Sequence, residues 1–192
     1  MQTSNLQDVV MQIGGLHNIE NALAAFTVCY TMNLDLEKAK ACFANFKGIK
    51  RRFEYIVKAT DSIYIDDYAH HPAELETLIK SAKNLYPNKK CLVVFQPHLF
   101  SRTKDLVDGF AASLSLADEL IILPIYPARE LPMEGVSSEL ILSAMKVKKG
   151  AVLSKEATLQ YIQDHAIELL ITAGAGDIDQ LIQPIKTILE SK

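Results

Sequence analysis

Ser62-Ile63-Tyr64-Ile65-Asp66-Asp67-Tyr68-Ala69-His70-His71-Pro72 decides the fold of this chain. An apolar run of strand length ends in two carboxylates, a phenol and two imidazoles, and Pro72 with Glu74 then opens a helix, as helix N-termini favour. A strand, a polar strand end and a helix make the repeating unit of an open α/β sheet, where ligands gather at the carboxyl ends of the strands. The same grammar returns downstream: Cys91-Leu92-Val93-Val94-Phe95 runs into Gln96-Pro97-His98-Leu99-Phe100-Ser101-Arg102. Two strand ends thus present imidazole, carboxylate and guanidinium toward one rim.

Working outward, alternating strands and helices are predicted from Arg51 onward: strands at 53–58, 62–66, 91–95, 119–125, 151–153 and 167–172, with helices at 73–85, 104–116, 138–145 and 156–165. Ala173-Gly174-Ala175-Gly176-Asp177 then leads into a terminal helix. This order predicts a Rossmann-like, mainly parallel sheet with helices on both faces. The first 48 residues read differently. A short strand at 9–13 is broken by Gly14-Gly15, an alanine-rich helix covers 18–32, and Asp35 caps a second helix over 36–46 that Gly48 ends.

At 192 residues and 49% hydrophobic, the chain can bury a sizeable core. A net charge of -3 with both signs interspersed leaves no basic footprint, so neither nucleic acid nor an anionic membrane is an expected partner. Cys29, Cys42 and Cys91 sit in apolar patterns with no CxxC or Cys/His pairing, so buried free thiols are expected and no metal site is. No apolar run reaches the ~18 residues of a membrane span, and the first residues lack a signal peptide, which predicts a cytoplasmic protein.

Adjacent strand residues face opposite ways, so only one of Asp66 and Asp67 turns easily to a ligand. A carboxylate beside His70 and His71 can hold a ribose hydroxyl or a metal-bound water, or fix a histidine tautomer, or Asp67 and His71 can instead satisfy backbone donors ahead of Pro72. His98 and Arg102 stand at a helix start and suit an anion, the alternative being an Arg102–Asp105 surface pair. His17, His70, His71 and His98 all fall in such polar clusters, whereas His165 reads as an ordinary surface residue. Gly174-Ala175-Gly176-Asp177 admits a phosphate reading or a plain tight turn. No GxxxxGK[ST] loop occurs, so the chain carries no cradle for the γ-phosphate of ATP.

In this order, the clusters resemble the Mur ligases of peptidoglycan synthesis over nearly the whole chain. Residues 15–25, Gly-Leu-His-Asn-Ile-Glu-Asn-Ala-Leu-Ala-Ala, resemble the helix closing that family's central ATPase domain, and 48–54, Gly-Ile-Lys-Arg-Arg-Phe-Glu, its junction with the C-terminal domain. Residues 66–72, 95–98 with 101–103, Tyr126-Pro127-Ala128-Arg129-Glu130 and 174–177 follow as in the third domain. The resemblance implies a division into 1–48, the end of the ATPase domain, and 49–192, the amino-acid-binding domain.

It further implies an ATP-dependent amide-forming ligase of the branch that joins L-alanine to UDP-N-acetylmuramate through an acyl phosphate. ATP and Mg2+ would serve the longer enzyme, with none held firmly by this chain. Asn18 and Asn21 would contact adenine, Arg52 and Asp67 the phosphate and ribose region, and Tyr68, His70, His98 and Arg102 the alanine pocket. Arg52, Asp67 and His70 would be the catalytic set. The family often has Arg directly after Gln-Pro-His, where this chain has Leu99, so the alanine carboxylate rests on Arg102 alone or on a cation recruited from elsewhere. The uridine-nucleotide domain and most of the ATPase domain would be missing partners, and the chain alone would be inactive. Two rivals stand beside this reading: a ligase recycling murein tripeptide onto the same sugar nucleotide, and a stand-alone binding module without chemistry.

Overall fold

The computed structural model describes residues 9–145 and 150–192. The chain divides into two compact units, Met1–Ile49 and Lys50–Lys192.

The first unit is a helix pair, α1 (Leu16–Thr31) and α2 (Leu36–Asn45). Asp35 caps α2 by accepting the amides of Glu37 and Lys38, as its position ahead of the apolar pattern predicts. Phe26 of α1 and Phe43 of α2 stack with centroids 4.4 Å apart and join the two helices. Residues 9–13 form no strand, contrary to the sequence reading. A strand needs a ladder, and the described residues of this unit offer only helices, so Gln12 instead donates its side-chain amide to the Ala44 carbonyl at 2.9 Å. Helix α1 leaves Ile19, Leu23, Val28 and Tyr30 exposed, and Met32 beyond its end is exposed too.

The second unit is built on six strands: β1 (Glu54–Lys58), β2 (Ile63–Asp67), β3 (Cys91–Phe95), β4 (Glu119–Ile122), β5 (Gly150–Val152) and β6 (Leu169–Ala173). Their order is β1-β2-β6-β3-β4-β5, parallel throughout except for β1, which runs antiparallel to β2. The connection 59–62 is too short for a parallel crossover, so β1 and β2 must form a hairpin. Helices α3 (Pro72–Leu85), α5 (Val107–Leu114) and α6 (Ser138–Ala144) cover one face. The other is covered by α7 (Lys155–Asp164) and α8 (Ile182–Glu190), the latter entered through a 3₁₀ turn at Asp177–Leu181.

Burial on both faces explains the unbroken apolar strands. Ile63, Ile65, Val93 and Phe95 pack on the α3 side, while Tyr64, Leu92, Val94 and Leu170 pack on the α8 side. The single helix expected at 104–116 is two pieces, α4 (Phe100–Asp105) and α5, parted at Leu106 (φ -115°). Of the three cysteines only Cys91 is buried, its thiol pushed up to about 12 by desolvation; Cys29 is half-buried and Cys42 exposed, because α2 buries no residue. Among the described residues no helix is long and apolar enough to cross a membrane.

The chain leaves β2 and β3 toward the α3 face and leaves β6, which lies between them, toward α8. That divergence opens a crevice at the carboxyl edge, where the polar clusters lie.

Candidate functional site

The two aspartates at the end of β2 point to opposite faces and are both engaged with protein groups. Asp66, fully buried, accepts the Thr172 hydroxyl at 2.6 Å and the Arg51 guanidinium at 3.0 Å. Burial pushes its carboxyl up to about 6, outweighing the opposing pull of Thr172 and Arg51. Asp67 accepts the backbone amides of Phe53 at 2.7 Å and Ala69 at 2.8 Å. It therefore latches the segment before β1 to the loop after β2. His71 is the N-cap of α3, with its backbone amide received by Glu74 at 3.1 Å in a capping box. His71 therefore caps α3, and Asp67 satisfies backbone donors at Phe53 and Ala69.

Tyr68, His70, His98 and Arg102 come together. The Tyr68 amide donates to the Arg51 carbonyl at 2.7 Å, and the guanidinium carbons of Arg51 and Arg52 lie 5.2 and 5.4 Å from its ring centroid. The His70 ring meets Tyr68 edge-on at 5.4 Å and His98 at 6.4 Å. His70 Nδ1 lies 2.9 Å from the Tyr68 carbonyl. His98 is held below the ordinary imidazole range by burial, then by the nearby charges of Arg102 and His70, so it is neutral at pH 7. Arg102 is half-buried, and its guanidinium makes no ion pair or hydrogen bond among the described residues; the alternative pair with Asp105 does not form. A partly desolvated guanidinium of this kind has the chemistry to pair with a carboxylate or a phosphate.

Several contributors escaped the sequence reading. Arg51 bridges Asp66 and the Gly174 carbonyl at 2.6 Å, tying β2 to the loop after β6. Glu130 receives the Ser101 amide at 3.0 Å and fastens the 126–130 segment to the start of α4. Gln96 donates to Asp177 at 2.7 Å and accepts the Ile178 amide at 2.9 Å. Nothing in the one-dimensional pattern separates Arg51 from Arg52. Gln96 stood inside a strand-end cluster, which was its available signal.

The glycine segment after β6 is a tight turn. Gly174 (φ 149°) passes within 2.8 Å of the Gln96 carbonyl, measured from where a methyl would stand, and the same position on Gly176 is 2.6 Å from Tyr126 Cβ. The Tyr126 side chain thus packs directly against the Gly176 backbone. Next to it lies a groove of about 320 Å³ lined by Ile125, Tyr126, Pro127, Ser154 and Lys155, with Lys155 paired to Asp177 at 2.6 Å. Asn18 and Asn21 belong to α1 in the first unit; Asn18 donates to the Gly14 carbonyl at 2.6 Å, and Asn21 is exposed. No group of three or more His, Cys, Asp or Glu that could hold a metal occurs among the described residues.

An arginine without a side-chain partner among the described residues, two imidazoles and a tyrosine thus share the carboxyl edge of a doubly wound α/β sheet. Residues 51–179 match the family described as "Mur ligase, glutamate ligase domain", and the chain belongs to that family. It is 48% identical over 185 residues to the UDP-N-acetylmuramate–L-alanine ligase of Cytophaga hutchinsonii, covering 96% of this chain and 40% of that protein. The enzyme of the same name from Flavobacterium psychrophilum is 42% identical over 190 residues, 99% of this chain and 42% of the relative. Among solved structures, the UDP-N-acetylmuramate–alanine ligase of Thermotoga maritima superposes with a TM-score of 0.74 at 28% identity, over 94% of this chain and 39% of that one. A murein peptide ligase from Psychrobacter arcticus gives 0.65 at 26%, over 96% and 39%. The chain spans about 40% of the length of these curated relatives.

Proposed function

We propose that residues 49–192 are the amino-acid-binding domain of an ATP-dependent ligase that joins L-alanine to UDP-N-acetylmuramate, and that residues 1–48 are the end of its ATPase domain. The observation carrying this reading is Arg102: a half-buried guanidinium with no partner among the described residues, in a rim shared with Tyr68, His70 and His98. Arg102 grips the alanine carboxylate, and the aromatic and imidazole groups shape the space beside it. Neutral His98 tolerates an amine arriving next to it, whereas an imidazolium there would repel the ammonium form. Orienting the amine in this way supplies the positioning on which acyl transfer depends.

ATP, with magnesium, activates the muramoyl carboxylate in the longer enzyme. Exposed Arg52, beside Tyr68, offers a guanidinium suited to phosphate. Asp67 contributes by position, since its oxygens already hold the Phe53 and Ala69 amides that set Arg52 and Tyr68 in place.

The test is amide formation from UDP-N-acetylmuramate and ATP by the longer protein that carries this chain, with L-alanine or murein tripeptide as acceptor. L-Alanine is the expected substrate, and residues 1–192 alone, which lack a phosphate loop, are expected to give no turnover. Preference for the tripeptide, or turnover by the chain alone, overturns the reading.

A further inference from the structure

His98 makes no side-chain hydrogen bond among the described residues, and its buried Nδ1 has no partner. An imidazole is usually oriented by a hydrogen bond to one ring nitrogen. Here packing must do that work, and one ring is in place for it. Tyr126 stacks on His98 with centroids 5.7 Å apart and an interplanar angle of 21°. The backbones are locked together as well: the Tyr126 amide donates to the Pro97 carbonyl at 2.8 Å, and the Leu99 amide donates to the Tyr126 carbonyl at 2.9 Å. His98 is thus bracketed on both sides by bonds to one residue.

Tyr126 in turn has a seat. A methyl group on Gly176 would stand 2.6 Å from Tyr126 Cβ and 2.7 Å from Cγ, closer than side chains approach, and would also strike Gln96 Oε1. Only glycine lets the phenol settle this far in. The opposite choice, a bulkier residue at 176, pushes the ring off the imidazole.

We infer that Tyr126, seated by Gly176, is the positioning residue for the His98 imidazole. The phenol hydroxyl has no part in this, since stacking needs only the ring. The consequence for amino-acid binding rests on the function proposed above, whereas the positioning itself does not. Displacing the ring re-exposes the imidazole to water and removes part of the burial that disfavours its charged form. The other titratable and charged groups facing His98 are Arg102 from α4, His70 from the loop after β2 and Glu130 from the segment after β4, the last held by the Ser101 amide at 3.0 Å.

The experiment is an NMR titration of the histidine rings in the 192-residue chain. In the unaltered protein, nuclear Overhauser effects join the Tyr126 and His98 rings, and His98 titrates below 6.5. Tyr126→Phe leaves that titration in place. Tyr126→Ala and Gly176→Ala each raise it toward the ordinary value. Should Tyr126→Ala fail to fold, Gly176→Ala and the ring-to-ring effects in the native chain still decide. Unchanged His98 titration in the folded variants, or no ring-to-ring effect in the native protein, overturns the assignment. Failure of the alanine assay with these results intact would instead count against the function alone.

Discussion

Arg102→Ala is expected to raise the L-alanine KM of the ligase proposed above by a factor on the order of 10 to 1,000, the loss of one charge-assisted contact to a desolvated carboxylate. The range leans upward for a specific reason. Leu99 stands where the resemblance leads one to expect a second arginine, and Arg102 is the one cationic side chain whose charge acts on His98 apart from His70. Arg51 cannot take its place, because its guanidinium is already committed to Asp66 and the Gly174 carbonyl. Arg102→Lys should recover part of the loss, since an ammonium supplies charge without the planar fork. An unchanged KM would remove Arg102 from the pocket.

Asp67→Ala is expected to be the most destabilising single change in the second unit's rim. Two hydrogen bonds to a buried carboxylate, at roughly 1.5–3 kcal/mol apiece, put the loss near 3 to 6 kcal/mol. Against a typical domain stability of roughly 5–15 kcal/mol, that is a large share. The mechanism is local: the Phe53 and Ala69 amides lose their common acceptor, and the segment before β1 is released from the loop after β2. Phe53, fully buried in the α3-side core, follows it. Asp67→Asn keeps one acceptor oxygen and should lose about half as much. Urea unfolding measures both, and a loss under about 1 kcal/mol for the alanine variant would show that Asp67 is no latch.

Much of this architecture is visible in the residues themselves. The strand Cys91–Phe95 was legible to the residue because an unbroken apolar run between polar ends fits a strand covered on both faces. The cap at Asp35 and the helix opening at Pro72 were legible because capping is chemistry within four residues. The strand at 9–13 was misread because apolarity alone does not supply a ladder partner. The break at Leu106 was invisible, since the apolar spacing of α4 and α5 runs through it.

At the site, residue types announced a cluster but not a division of labour. Asp67 and His71 admitted both a ligand and a capping reading from sequence and accept backbone amides: at His71 the donor, Ala73, is local, whereas only the fold brings Phe53 to Asp67. Arg102 differs in that no described residue pairs with its guanidinium, which leaves it open to the role proposed for it. Tyr126 was legible only as part of a family resemblance; its stack on His98 and its seat on Gly176 join three segments far apart in sequence.

The most direct measurement is a titration of the isotopically labelled 192-residue chain with L-alanine, at concentrations that saturate the longer enzyme, following the Arg102 Nε and the His70 and His98 ring signals. Those three are predicted to move together and saturably, and Arg102→Ala is predicted to abolish the response. Signals that stay still at this rim, while alanine perturbs some other surface of the domain, would contradict the account.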